Sequence, residues 1–111
     1  MAFDDALAER VRERLDGEDG VTERRMFGGI AFLVDGHMAV VVSGRGGLMV
    51  RADPVEAAKL VADGPARYAE MRGREMTAWL RVDDEVVADE EALFEWVDRG
   101  VASARVLPPK P

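Results

Sequence analysis

The chain has 111 residues, a net charge of −7 and 48% hydrophobic residues, many of them alanine, so one domain with a thin packed core is expected. It contains no cysteine, which excludes disulfides, zinc–thiolate centres, thiol nucleophiles and iron–sulfur clusters. A pI of about 4.7 argues against duplex DNA binding by phosphate neutralisation, and the acidic start without an apolar run predicts neither a signal peptide nor a membrane span, hence a cytoplasmic protein.

Leu7, Val11 and Leu15 follow Phe3 at spacings of four, which predicts an amphipathic helix begun by Asp4 or Asp5 and ended by Gly17. Val21–Phe27 reads as a first strand. Gly28-Gly29 interrupts it and predicts a bulge, a sharp bend or a backbone that something approaches closely. Ile30–Val34 is apolar throughout and reads as a central strand. Asp35-Gly36 predicts a two-residue type I′ hairpin, because both residues must take positive φ. The register that follows pairs Val34 with His37, Leu33 with Met38, Phe32 with Ala39, Ala31 with Val40 and Ile30 with Val41. Ile30, Phe32, Val34 and Val41 then share one face, and Ala31, Leu33, Met38 and Val40 the other.

Ser43–Gly47 reads as a looser turn and Leu48–Arg51 as a fourth strand. Asp53, Pro54 and Glu56 mark a helix start, with Ala57, Leu60 and Val61 facing inward and Gly64-Pro65 ending the helix. Arg67–Met71 is a short strand and Gly73 a turn. From Met76 the pattern alternates, with Met76, Ala78, Leu80 and Val82 on one face and Thr77, Trp79 and Arg81 on the other. Asp89 caps a last helix to about Ala104, striped by Leu93, Val97, Val101 and Ala104. Gly100 inside it costs about 1 kcal/mol relative to Ala, which implies close packing against the sheet.

The fold expected is α+β: a single antiparallel sheet of about five or six strands with three helices, in the order α-β-β-β-β-α-β-β-α. One domain covers residues 1–106, followed by a flexible proline-rich tail at 107–111. The helices pack mainly on one face, and the other face is partly exposed or covered by a second copy. Residues 1–19 carry three Arg against seven acids, 20–82 nine bases against seven acids, and 83–111 three bases against eight acids. A mildly basic sheet between acidic helices follows, with the acidic helix faces solvated.

Catalytic constellations are sparse. His37 is the sole histidine and sits beside the hairpin turn, where a solvent-exposed role is expected. Ser43 lacks a nucleophile-elbow context. Gly44-Arg45-Gly46-Gly47 precedes a strand rather than a helix, so it reads as a plain turn and not a phosphate loop. Asp83-Asp84-Glu85 and Asp89-Glu90-Glu91 cluster in one loop and one helix start, where they favour a helix dipole rather than paired-acid catalysis. Met26, Met38, Met49, Met71 and Met76 all fall on strands and read as core filling, or as an adaptable partner surface. Trp79 reads as a residue covered by a helix, or as an exposed interface anchor. Arg24, Arg25, Arg72 and Arg74 flank two glycine turns. If those turns lie close, they present guanidinium groups around exposed backbone, suited to a carboxylate or phosphate; otherwise they pair with the acidic helices.

Arg25-Met26-Phe27-Gly28-Gly29, the hairpin Phe32-Leu33-Val34-Asp35-Gly36, Leu48-Met49-Val50-Arg51, Glu70-Met71-Arg72-Gly73, Trp96-Val97 and Leu107-Pro108-Pro109-Lys110 together resemble the N-terminal domain of the TfoX (Sxy) family, bacterial regulators of natural competence. The resemblance covers nearly the whole chain. It implies an α+β arrangement similar to secretion chaperones and a role in transcription regulation through protein partners. Full-length competence regulators continue into a second domain, so a stand-alone N-terminal domain is expected here.

The expected function is a small protein-binding module, not an enzyme, whose partner is another protein or a second copy of the chain, without direct DNA binding. The alternative is an anionic small-molecule sensor or enzyme using an arginine and glycine-turn rim. Candidate ligand- or partner-binding residues are Arg24, Arg25, Phe27, Gly28, Gly29, Arg72, Arg74 and Trp79; no catalytic residue, metal ligand or cofactor is expected.

Overall fold

The computed structural model describes residues 4–26 and 28–108. Asp4 begins helix α1 (Asp5–Leu15), its carboxylate accepting from the Leu7 amide at 3.1 Å. That bond satisfies one of the backbone N–H groups a helix start leaves unpaired. Leu7, Val11 and Leu15 are buried, as their spacing predicts, while Phe3 lies outside the described residues.

Four strands follow: β1 (Val21–Met26), β2 (Gly29–Val34), β3 (His37–Val42) and β4 (Leu48–Arg51). Then come α2 (Pro54–Asp63), β5 (Arg67–Met71), β6 (Arg74–Val82), α3 (Asp84–Val87) and α4 (Glu90–Arg105). The strands form one six-stranded antiparallel sheet in the order β1-β2-β3-β4-β6-β5. Class and element order are those expected, with one addition. The four-residue α3 rises from the acidic stretch after β6, which is too short to show a helical period. Asp53 and Asp89 cap α2 and α4, accepting from the amides of Val55 and Glu56 and of Ala92. Among the described residues no helix is long and apolar enough to cross a membrane.

Asp35 and Gly36 take φ values of 52° and 88°, and Val34 pairs with His37 and Leu33 with Met38. Beyond Leu33 the expected register fails. Phe32 pairs with Val40, Ala31 with Val41 and Ile30 with Val42, leaving Ala39 as an extra residue. This bulge puts Ala39 and Val40 together in the helix-covered core and sends Val41 to the opposite face, reversing the expected places of Val40 and Val41. Helix α4 packs directly on it: a Cβ on Gly100 would meet the Ala39 carbonyl oxygen at 2.5 Å and Val40 Cγ2 at 2.8 Å. The glycine lets the helix backbone settle directly onto the bulge.

A second irregularity bends the β5–β6 hairpin. Tyr68 pairs with Leu80 and Ala69 with Met76, so β6 spends Thr77, Ala78 and Trp79 where β5 advances one step. The expected alternation therefore breaks: Met76 and Ala78 join Trp79 on one face, while Leu80 and Val82 enter the core on the other. The hairpin tip, Arg72-Gly73, has positive φ at both residues.

The helices cover one face of the sheet. There Phe32, Val34, Val40, Val42, Leu48, Val50, Leu80 and Val82 pack against Val11, Leu93 and Val97, all at most 1% exposed. Each such side chain contributes about 1.5–3 kcal/mol relative to its exposed state. A smaller cluster of Ala31, Leu33, Val41, Ala69 and Trp79 occupies the opposite face and includes no helical residue. His37, expected in solvent, is half-buried, and its Nε2 lies 2.6 Å from the Pro108 carbonyl. A carbonyl accepts only, so Nε2 carries the proton in that contact. Residues 109–111 of the expected tail lie outside the described residues.

Candidate binding site

The face without helices is hollowed. Three residues of β6 without a partner on β5 bend the hairpin, and Met71, Arg72 and Gly73 line the same cavity as Met38, Val41 and Met49 of β3 and β4. The cavity measures about 530 Å3, within the range of ordinary small-molecule sites. Met76 and Trp79 complete its apolar wall. Trp79 is 6% exposed, yet no helix covers it, which corrects the helix-covered expectation as well as that of an exposed anchor. Arg51 covers it instead: the guanidinium carbon lies 4.9 Å from the ring centroid, and Nε donates to the Met38 carbonyl at 2.6 Å. Burial pulls the Arg51 guanidinium below the usual arginine value.

Arg45, Arg72 and Arg81 stand at the polar side of this hollow, with Glu70 the acid among its lining residues. Arg81 is fixed from below. Its Nη1 donates to Ser43 Oγ at 3.1 Å and its Nη2 to the Gly46 carbonyl at 2.6 Å. Ser43 also receives the Arg45 amide at 3.1 Å, so its hydroxyl holds the turn together. That turn is anchored again by Asp84 of α3, which accepts from the Gly47 amide at 2.7 Å. The turn expected to be plain is thus tied on two sides; it carries Arg45 to the cavity and orients Arg81 of β6 there.

Of the residues singled out from the sequence, Arg72 and Trp79 line the hollow, and Arg24, Arg25, Gly28, Gly29 and Arg74 do not. Arg24 and Arg25 belong to β1 at one edge of the sheet. Arg72 lies in the β5–β6 turn and Arg74 opens β6, toward the other edge, with β2, β3 and β4 between. Phe27 lies outside the described residues. Gly29 is approached closely, as expected, but by the chain's own Val42 carbonyl on the neighbouring strand. Arg45 and Arg81 are the functional candidates missed. The signal for Arg81 was present, since it shares the strand face of Trp79. Nothing local to Arg45 shows that its turn folds toward the same face.

Ion pairs elsewhere involve other arginines. Arg12 pairs with Glu9 and Glu23, Arg14 with Asp98, Arg67 with Asp83, and Arg105 with Glu18 and Asp35. Among the described residues, Arg45, Arg72 and Arg81 make no ion pair within 4 Å. Most of these acids sit on strands, turns and loops rather than on helices, and none of them pairs with an arginine of the hollow.

The family description "TfoX N-terminal domain" matches residues 13–104. The chain belongs to the TfoX N-terminal domain family. The matched stretch opens inside α1 and closes inside α4, so this TfoX N-terminal domain includes all six strands and the whole hollow. The comparison with curated proteins gives no match.

Proposed function

We propose that this TfoX N-terminal domain is a cytoplasmic regulatory module that works by binding, through contact with another protein, rather than by catalysis. The observation that carries this reading is the helix-free sheet face with its methionine-walled hollow. Methionine is unbranched and polarizable and adapts to partners of varied shape. Family membership supports a regulatory role of the kind found in competence regulators. The test compares capture of partners by the wild-type protein and by Met49→Lys, which sets a charge in the hollow wall. Circular dichroism and the thermal midpoint confirm that the variant is folded. A specific protein retained by the wild type and lost by the variant supports the reading; an identical retained set overturns it.

The Arg72-Gly73 turn at the rim favours a second reading, an anionic small-molecule sensor. Thermal stabilisation by phosphorylated metabolites or carboxylates, abolished in Arg72→Ala, supports that reading, and the absence of any stabilisation removes it.

A further inference from the structure

The hollow does not end at the hairpin. A second cavity of about 290 Å3 adjoins it, the two having Arg45, Met49, Glu70 and Arg81 in common in their walls. The first part is walled by methionines and Trp79. The second is bordered by Arg45 and Arg81, by Glu70, and by Arg67, which is already paired with Asp83. Apolar character passes into basic character from the first to the second, in a chain whose net charge is −7. Two adjoining hollows of different chemistry fit an extended chain better than a compact solute. Arg81 is pre-oriented by Ser43 and Gly46, and two of its five N–H groups are used there, which leaves donors for a carboxylate.

We propose that these adjoining hollows take a short acidic–apolar peptide segment of a partner protein. A large apolar side chain enters beside Met38, Met76 and Trp79, and adjacent carboxylates pair with Arg45, Arg72 and Arg81. The proposal rests on the reading of the open face as a contact surface and adds the chemistry of what it contacts. Methionines set the tolerance for the apolar residue, and the arginines set the preference for acids around it.

The experiment uses the full chain labelled with 13C at the methionine methyl groups. The probes are a short synthetic peptide with a Trp-Leu pair flanked by Asp and Glu, the same peptide with Lys for the acids, the acidic peptide with Ser for Trp-Leu, and decanoate as a small amphipathic carboxylate. The acidic–apolar peptide is expected to shift the methyl signals of Met38, Met49 and Met76. Its affinity is expected to fall roughly tenfold in Arg72→Gln or Arg45→Gln, whose exposed side chains leave the fold intact. Equal binding of the Lys peptide overturns the charge preference while leaving the contact face in place. Shifts from decanoate alone mark a small-molecule site and overturn the peptide assignment. Shifts that grow with protein concentration without any probe mark a second copy as the occupant and also overturn it. If no probe moves the methyls but Met49→Lys still loses a captured protein, the peptide chemistry is wrong and the proposed function stands. If that capture is unaffected too, both fail.

Discussion

Arg51 lies over the indole of Trp79 while its Nε holds the Met38 carbonyl, so one half-buried guanidinium joins β4, β6 and β3 at the floor of the open face. Arginine can do both at once because its charge is spread over a flat fork; a lysine ammonium offers a point charge and no plane to stack. Arg51→Lys is expected to lower stability by about 1–2 kcal/mol, the size of a charged hydrogen bond with partial compensation. Urea denaturation measures the loss. Arg51→Ala also uncovers the ring, so the tryptophan emission should move to longer wavelength. Trp96, stacked beneath Arg99 on the helical side, provides the unchanged background.

Gly100→Ala tests the contact between α4 and the bulge. Alanine raises helix propensity by about 1 kcal/mol. Its Cβ would also stand 2.5 Å from a backbone oxygen that cannot rotate away. Overpacking of this kind costs about 1–3 kcal/mol, so a net destabilisation of about 1 kcal/mol is expected. A denaturation midpoint equal to or above that of the wild type would show that the helix can lift from Ala39 without loss.

Asp84→Ala should loosen the turn that carries Arg45. It removes the carboxylate acceptor of the Gly47 amide and leaves that part-buried donor without its partner. A loss of about 1 kcal/mol is expected. Faster hydrogen exchange at Gly47 is the specific readout, with the α2 amides as the control.

The Arg67–Asp83 pair predicts a pH effect of definite sign. Two bonds of 2.8 Å from the guanidinium hold the Asp83 carboxyl below the ordinary aspartate value of 3.8. Folding therefore favours the ionised form. The contribution is fully present above the ordinary value and fades as pH falls below it through the lower folded value. Solvent screens this exposed pair, so the effect is small. Asp83→Asn should flatten the acid limb of the stability profile there and leave the neutral region nearly unchanged. Measuring thermal midpoints of both proteins across the acid range decides it.

The sequence by itself determined the elements and the main helix starts, the four-residue α3 excepted. Asp4, Asp53 and Asp89 announce helix starts because a carboxylate satisfies amides only a few residues away. Asp35-Gly36 announces the hairpin because positive φ is a property of those two residues. Such signals act over one turn of chain, and they survive into the fold unchanged. Only the tertiary structure decided which faces the residues take and which meet. One extra residue at Ala39 exchanges Val40 and Val41, and three β6 residues without a partner on β5 carry Met76 across to Trp79. The order β4-β6-β5 separates Arg24 and Arg25 from Arg72 and brings Arg45 and Arg81 to it instead. A bulge answers to what packs against the strand, here the bare backbone of Gly100, and strand order answers to the burial of the whole sheet. Neither is written in the spacing of neighbouring residues, because the energies that select them arise between segments distant along the chain.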